Sequence, residues 1–116
     1  MDKKFEHLYE KILKFRDERD WAKFHDPKNL SQAISIEASE LQEIFLWKTN
    51  DQSRNLTEKE IHKVKEELAD VFIFMMYMCN EFGIDLLREV EKKLAINGKK
   101  YPVEKARGTS KKYTDL

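Results

Sequence analysis

The 116-residue chain has one cysteine, three glycines and two prolines. So few glycines and prolines leave little material for the many tight turns of a β-rich fold, and they favour helices. Cys79 has no second cysteine to pair with. It stands in an apolar stretch, which fits a small core residue in a reducing compartment better than a nucleophile or a metal ligand. An excess of charge of one sign is also missing. Lys plus Arg total 22, Asp plus Glu total 22, and the formal net charge is zero. No overall attraction to a nucleic acid polymer or an anionic membrane is expected from that balance. The longest apolar run, Val71–Cys79, is far below the ~20 residues of a membrane-spanning helix. The first residues, Met-Asp-Lys-Lys, are not followed by the apolar segment of a secretory signal. These absences predict a soluble, cytoplasmic protein. No glycine pattern of the Walker type is present, and no serine or cysteine stands at a motif spacing from a base. P-loop and nucleophilic-triad chemistry are thereby set aside.

Helical periodicity dominates what is there. Phe5, Leu8, Ile12 and Phe15 recur at three- and four-residue steps and predict a helix from about Lys3 to Arg19. Trp21 to Lys28 reads as a connection broken by Pro27. Asn29 or Ser31 can cap a second helix that runs to about Trp47. Lys48 to Asn55 is polar and turn-like. Thr57 and Glu60 stand at capping-box spacing for a third long helix, which ends near Phe82 with Gly83 beyond it. Asp85 can cap a fourth, with Leu86, Leu87, Val90 and Leu94 on its apolar side and Gly98 or Pro102 as its stop. The fold class is therefore all-α, a four-helix-bundle-like domain over residues 1–103. A basic tail, 104–116, is expected to be loose or ordered only against another subunit.

Two pairs of acids interrupt this pattern. Glu37 and Glu40 lie on the second helix, Glu67 and Asp70 on the third. A separation of three residues puts each pair about 60° apart on one helix face. Glu37 falls inside the stripe formed by Leu30, Ile34, Leu41, Ile44 and Phe45, with Glu40 at its edge. Asp70 immediately precedes Val71–Cys79, which is apolar all round. Unpaired carboxylates in such places cost several kcal/mol, so basic side chains or a hard divalent cation must lie between them. One such pair alone is usually two solvated acids on a helix edge; two pairs on apolar faces are harder to explain that way. None of His7, His25 and His62 follows an acid at the Glu-x-x-His spacing of di-iron bundles. A zinc site would want His or Cys. An all-oxygen set points to Mg²⁺, with Mn²⁺ as a substitute, and hence to phosphate chemistry. Lys93 and Asn97 share a face of the fourth helix, with Lys99 and Lys100 just beyond. Trp21, Phe24 and His25 cluster in the first connection, as loop aromatics over the core or as a surface for a planar ligand.

The spacing Glu37-x-x-Glu40 followed by Glu67-x-x-Asp70 resembles the metal motif of the all-α nucleoside triphosphate pyrophosphatases, the MazG-like superfamily. Further stretches resemble its dCTP pyrophosphatase branch: Arg19-Asp20-Trp21, Phe24-His25, Pro27-Lys28-Asn29-Leu30, Phe45-Leu46-Trp47-Lys48, Glu66 to Val71, Asn97 to Pro102, and Lys111-Lys112-Tyr113-Thr114. The similarity covers nearly the whole chain from about residue 5.

The resemblance implies hydrolysis of a nucleoside triphosphate to monophosphate and pyrophosphate, with dCTP or a modified pyrimidine deoxynucleotide as substrate. It implies that Glu37, Glu40, Glu67 and Asp70 hold Mg²⁺. One of Glu37 and Glu40 would activate the attacking water, Glu40 being nearer the rim. Trp21, His25, Trp47, Phe74, Lys93, Asn97 and Lys100 would contact the nucleotide. Homo-oligomers, dimers or tetramers sharing active sites, are implied as well. Members of this branch carry a tyrosine where this chain has Phe74 and a histidine in the first helix where it has Ile12, so the base preference stays open. Two other readings stand beside this one. One is a broad-specificity house-cleaning pyrophosphatase; the other is a non-catalytic helical module whose acids bind basic partner groups.

Overall fold

The structure, a computed structural model, describes residues 2–116. Six α-helices and two short 3₁₀ turns account for its regular elements, and no strand occurs among the described residues. The helices are α1 (Lys3–Glu18), α2 (Pro27–Glu43), α3 (Asn50–Arg54), α4 (Glu58–Phe82), α5 (Leu86–Lys100) and α6 (Val103–Ala106). The 3₁₀ turns are Ala22–Phe24 and Tyr113–Asp115. The chain forms two compact units that divide between Gly83 and Ile84.

In the first unit, α4 is the central element and packs against both α2 and α1. Its start is fixed chemically. The Thr57 hydroxyl accepts from the Glu60 amide at 3.2 Å, and the Glu60 carboxylate accepts from the Thr57 amide at 3.0 Å, so two amides that the helix cannot satisfy are satisfied by side chains. Its end is equally local. Gly83 takes φ 63°, the left-handed conformation that terminates helices at low cost only for glycine. Between these signals the core gathers around Ile12, Leu30, Met76, Tyr77 and Cys79. Two tyrosines tie α1 to α4. The Tyr77 hydroxyl donates to the Ile12 carbonyl at 3.1 Å, and the Tyr9 hydroxyl donates to the Met76 carbonyl at 3.3 Å. Each satisfies a polar group that would be costly to leave unpaired inside.

Three expectations about boundaries are corrected. The second helix starts earlier than Asn29: Asp26 is its N-cap, with its carboxylate accepting from the Asn29 amide at 2.8 Å, and Pro27 occupies the first turn. Proline starts this helix rather than breaking the chain, because its missing N–H belongs to a position that has no helical acceptor. The helix then ends at Glu43, not Trp47, and a turn carries the chain to Trp47 at φ 69°. The polar stretch after it is not only a turn. Thr49 and Gln52 form a second capping box that starts α3.

In the second unit, Asp85 caps α5 through the Arg88 amide, and Gly98 lies within the helix instead of stopping it; Tyr101 closes it. The stretch after Glu104 is more ordered than a loose tail. It holds the end of α6 and the Tyr113–Asp115 turn, and Tyr113 meets Tyr101 edge-on at 5.9 Å with the Lys100 ammonium 4.8 Å from its ring. Among the described residues no helix is long and apolar enough to cross a membrane.

Candidate active site

α2 and α4 bring three carboxyl groups together. One carboxylate oxygen each of Glu37, Glu67 and Asp70 lies within 4.8 Å of the other two. Glu67 is only 8% exposed, the one charged residue in the buried core among the described residues. The Oε2 atoms of Glu37 and Glu67 are both buried without a hydrogen-bond partner. Among the described residues, no lysine or arginine forms an ion pair with Glu37, Glu40, Glu67 or Asp70. The Glu37 carboxyl is therefore pushed up to about 7, first by burial, then by the Glu67 carboxyl beside it and by the charges of Glu40 and Asp70. Orphaned buried oxygens and an all-oxygen donor set are what a hard divalent cation would correct. The residues fit such an ion, and no histidine or cysteine joins the cluster among the described residues. Glu40, one turn beyond Glu37, is exposed and stands outside the three-acid group, lining a polar groove with Glu43, Ile44, Lys59, Glu60 and Lys63.

Asp70 also faces the other way. It lines a cavity of about 400 Å³ with Lys11, Ile12, Phe15, Trp21, His25, Ile73, Phe74 and Tyr77. The walls are largely aromatic because α1, the Ala22–Phe24 turn and the apolar half of α4 converge there. His25 lies 4.9 Å from Tyr77, its ring tilted by 30°, and meets Phe74 edge-on at 6.2 Å. Burial, and then the Arg16 guanidinium, lower the His25 pKa, so the imidazole is neutral near pH 7. Its Nδ1 is buried without a partner. The Arg19 guanidinium lies 3.7 Å from the Phe15 ring and braces the Trp21 side of the cavity, where Phe15 and Trp21 meet edge-on at 5.8 Å.

The structure thus joins Trp21, His25 and Phe74 to the acid cluster through Asp70. It does not bring Trp47 to the cavity. That residue is 91% exposed and lines a separate depression with Ser39, Gln42, Glu43, Phe45 and Leu46. Lys93, Asn97 and Lys100 lie on α5 in the second unit, Lys93 exposed, Asn97 half-buried and Lys100 against Tyr113. Sequence reasoning missed Lys11, Phe15, Ile73 and Tyr77 as cavity walls. The signal for Tyr77 was present: it follows Phe74 by three residues, on the face that carries Glu67 and Asp70.

The fold is all-helical among the described residues, with acids brought together across two helices beside an aromatic cavity. The chain matches the MazG-like family over residues 32–116, and it belongs to that family. It is 39% identical over 104 residues to dCTP pyrophosphatase 1 of Homo sapiens, covering 88% of this chain and 61% of that protein. It is 40% identical over 104 residues to dCTP pyrophosphatase 1 of Rattus norvegicus, with the same coverage of 88% and 61%. The chain therefore spans about three fifths of the length of the curated relatives it matches. Its fold is similar to the crystal structure of a pyrophosphatase from Archaeoglobus fulgidus, at a TM-score of 0.83 and 39% identity, covering 88% of this chain and 95% of that one.

Proposed function

We propose that the chain is a divalent-cation-dependent nucleoside triphosphate pyrophosphohydrolase that releases pyrophosphate and a nucleoside monophosphate. The observation that carries this reading is the double position of Asp70, which belongs to the carboxylate cluster and to the wall of the aromatic cavity. A planar base in the cavity would stack on rings such as Trp21 and Phe74, at about 1–3 kcal/mol per base. The phosphates would then leave the cavity past Asp70 and meet the acids. Glu37, Glu67 and Asp70, with Glu40 at the rim, would hold the ion, and Mg²⁺ fits the donor set, with Mn²⁺ as a substitute. When bound, it would lower the pKa of a coordinated water and neutralise charge building on the phosphate oxygens. Glu40, exposed one turn from Glu37, would take the proton of the attacking water, with Glu37 as the other carboxylate for that role. The neutral His25 in the cavity wall would hydrogen-bond the base edge. The relatives are named for dCTP, and a pyrimidine deoxynucleotide is the substrate we favour.

A second reading, broad specificity toward non-standard nucleotides, is favoured by the apolar Ile12 and Phe74 in the cavity wall, which supply no hydrogen bond to select one base. Large exposed apolar side chains, among them Leu46, Leu68, Phe82 and Val103, support association into homo-oligomers. Incubation with Mg²⁺ and a panel of nucleoside triphosphates tests the proposal. Pyrophosphate release confined to dCTP and its modified forms supports the first reading, and release from many nucleotides supports the second. No release from any nucleotide, with assembly unchanged by a chelator, would leave a non-catalytic helical module.

A further inference from the structure

One face of α4 carries chemistry in a fixed order. Lys59, Lys63, Glu67, Asp70, Phe74 and Tyr77 follow one another at steps of three or four, within about 80° of helix arc. Read along the axis, this is two cations, two metal-seeking acids and two aromatic rings. The aromatic end and Asp70 line the cavity of about 400 Å³. The cationic end lines a different hollow, a polar groove of about 520 Å³ bounded by Glu40, Glu43, Ile44, Lys59, Glu60 and Lys63. The acid cluster stands between the two along the helix.

The groove's charges are unequally engaged. Glu60 pairs with Lys48 at 2.5 Å and accepts from the Thr57 amide at 3.0 Å, so it is occupied as a helix cap. Lys59 and Lys63 are exposed and form no ion pair among the described residues, although Glu40 and Glu43 share the groove. Two unengaged ammonium groups one turn apart, about 6 Å along the axis, match an anion that carries charge at two neighbouring centres. Lys63 is again about 6 Å from Glu67, so an anion held by the lysines reaches the acids without a gap.

Resting on the pyrophosphohydrolase reading, we infer that Lys59 and Lys63 form the subsite for the two terminal phosphates, the diphosphate that leaves. This fixes the direction in which a triphosphate lies along α4. The base occupies the aromatic end, the α-phosphate meets the acids, and the β- and γ-phosphates lie over the lysines. Attack of water on the α-phosphorus, in line with the bridging oxygen, forms its new P–O bond, passes the water's proton to a carboxylate of the cluster and breaks the bond to the bridging oxygen. The electron pair stays on the departing diphosphate, whose charge the two ammonium groups neutralise. Glu40 lines the same groove. Its negative charge opposes the diphosphate unless the divalent ion neutralises it, so the subsite works only in the loaded protein.

The test is calorimetric titration of the full chain, in Mg²⁺, with inorganic pyrophosphate and separately with a nucleoside monophosphate. Charge-assisted contacts predict that Lys59→Gln/Lys63→Gln weakens pyrophosphate binding at least about 10-fold. Monophosphate affinity should be unchanged, Lys63→Arg should retain pyrophosphate binding, and Lys65→Gln, elsewhere on α4, should behave as the parent. The KM for triphosphate should rise in parallel in the double variant. Pyrophosphate affinity that is absent in the parent, untouched in the double variant, or equally reduced in Lys65→Gln overturns the subsite. If triphosphates are hydrolysed but pyrophosphate binding ignores the lysines, the subsite fails and the enzymatic reading stands. If nothing is hydrolysed but pyrophosphate binding depends on the lysines, the enzymatic reading fails, and with it the leaving-group role, while the lysines remain a diphosphate-binding site.

Discussion

Removing divalent ions should make this protein lose stability as pH rises, and Glu37 should be the cause. In the folded chain its carboxyl holds its proton up to about 7, against an ordinary value of 4.5. Burial drives this first, with Glu67, Glu40 and Asp70 adding to it. The unfolded chain releases that proton near the ordinary value. The stabilising preference for the protonated form is complete below about 4.5, declines through the interval between, and is gone above about 7. A difference of this size corresponds to about 3.5 kcal/mol at most, since each pKa unit is about 1.4 kcal/mol. For a domain of this length that is roughly 10 °C in Tm. Thermal unfolding in a chelator, at one fixed protein concentration, should show that decline across pH 4.5 to 7. Glu37→Gln, which cannot ionise, should flatten it. Above pH 7 in chelator the variant should be the more stable protein, and saturating Mg²⁺ should reverse the order by stabilising only the parent. A parent that is equally stable across this range in chelator, or a variant with the same slope, would refute the reasoning.

Other substitutions separate chemistry from packing. Glu67→Gln should lower turnover by at least about two orders of magnitude while leaving the helical circular-dichroism spectrum intact; a collapsed fold would make the acid structural. Trp21→Ala should raise the KM for substrate by roughly 10-fold or more with kcat little changed, as loss of a stacking ring predicts. Leu30→Ala removes a side chain only 1% exposed and should cost about 2–5 kcal/mol in urea unfolding. Trp47→Gly relieves a left-handed backbone at φ 69° in an exposed residue and should leave Tm unchanged or slightly higher; a marked fall would show that the ring is packed in the assembled protein.

The parts of this fold that were legible in the sequence are those decided locally. Thr57 with Glu60, Gly83 and Asp85 each satisfy or end a helix by contacts within a few residues, and the structure places all of them as the spacing predicts. Pro27 misled because the same ring that disrupts a helix interior is welcome in a first turn, and only the Asp26 cap distinguishes the cases. The end of α2 was overestimated because Ile44 and Phe45 extend its apolar stripe, while the chain turns there to bring Trp47 into a left-handed conformation. The acids were legible through a conflict, charge on apolar faces, which periodicity exposes. The cavity was only half legible. Trp21, His25 and Phe74 could be named, but Lys11 and Phe15 become walls only once α1 is docked on α4, a tertiary fact.

Under the proposed function, Glu37, Glu67 and Asp70 hold a divalent ion at the mouth of a base-binding cavity. Diffraction from crystals grown with Mn²⁺ and a non-hydrolysable deoxynucleotide triphosphate analogue tests it most directly. An anomalous peak is expected among those three side chains, with a base between the rings of Trp21 and Phe74. Carboxylates turned apart with no peak between them, or a nucleotide bound elsewhere, would contradict it.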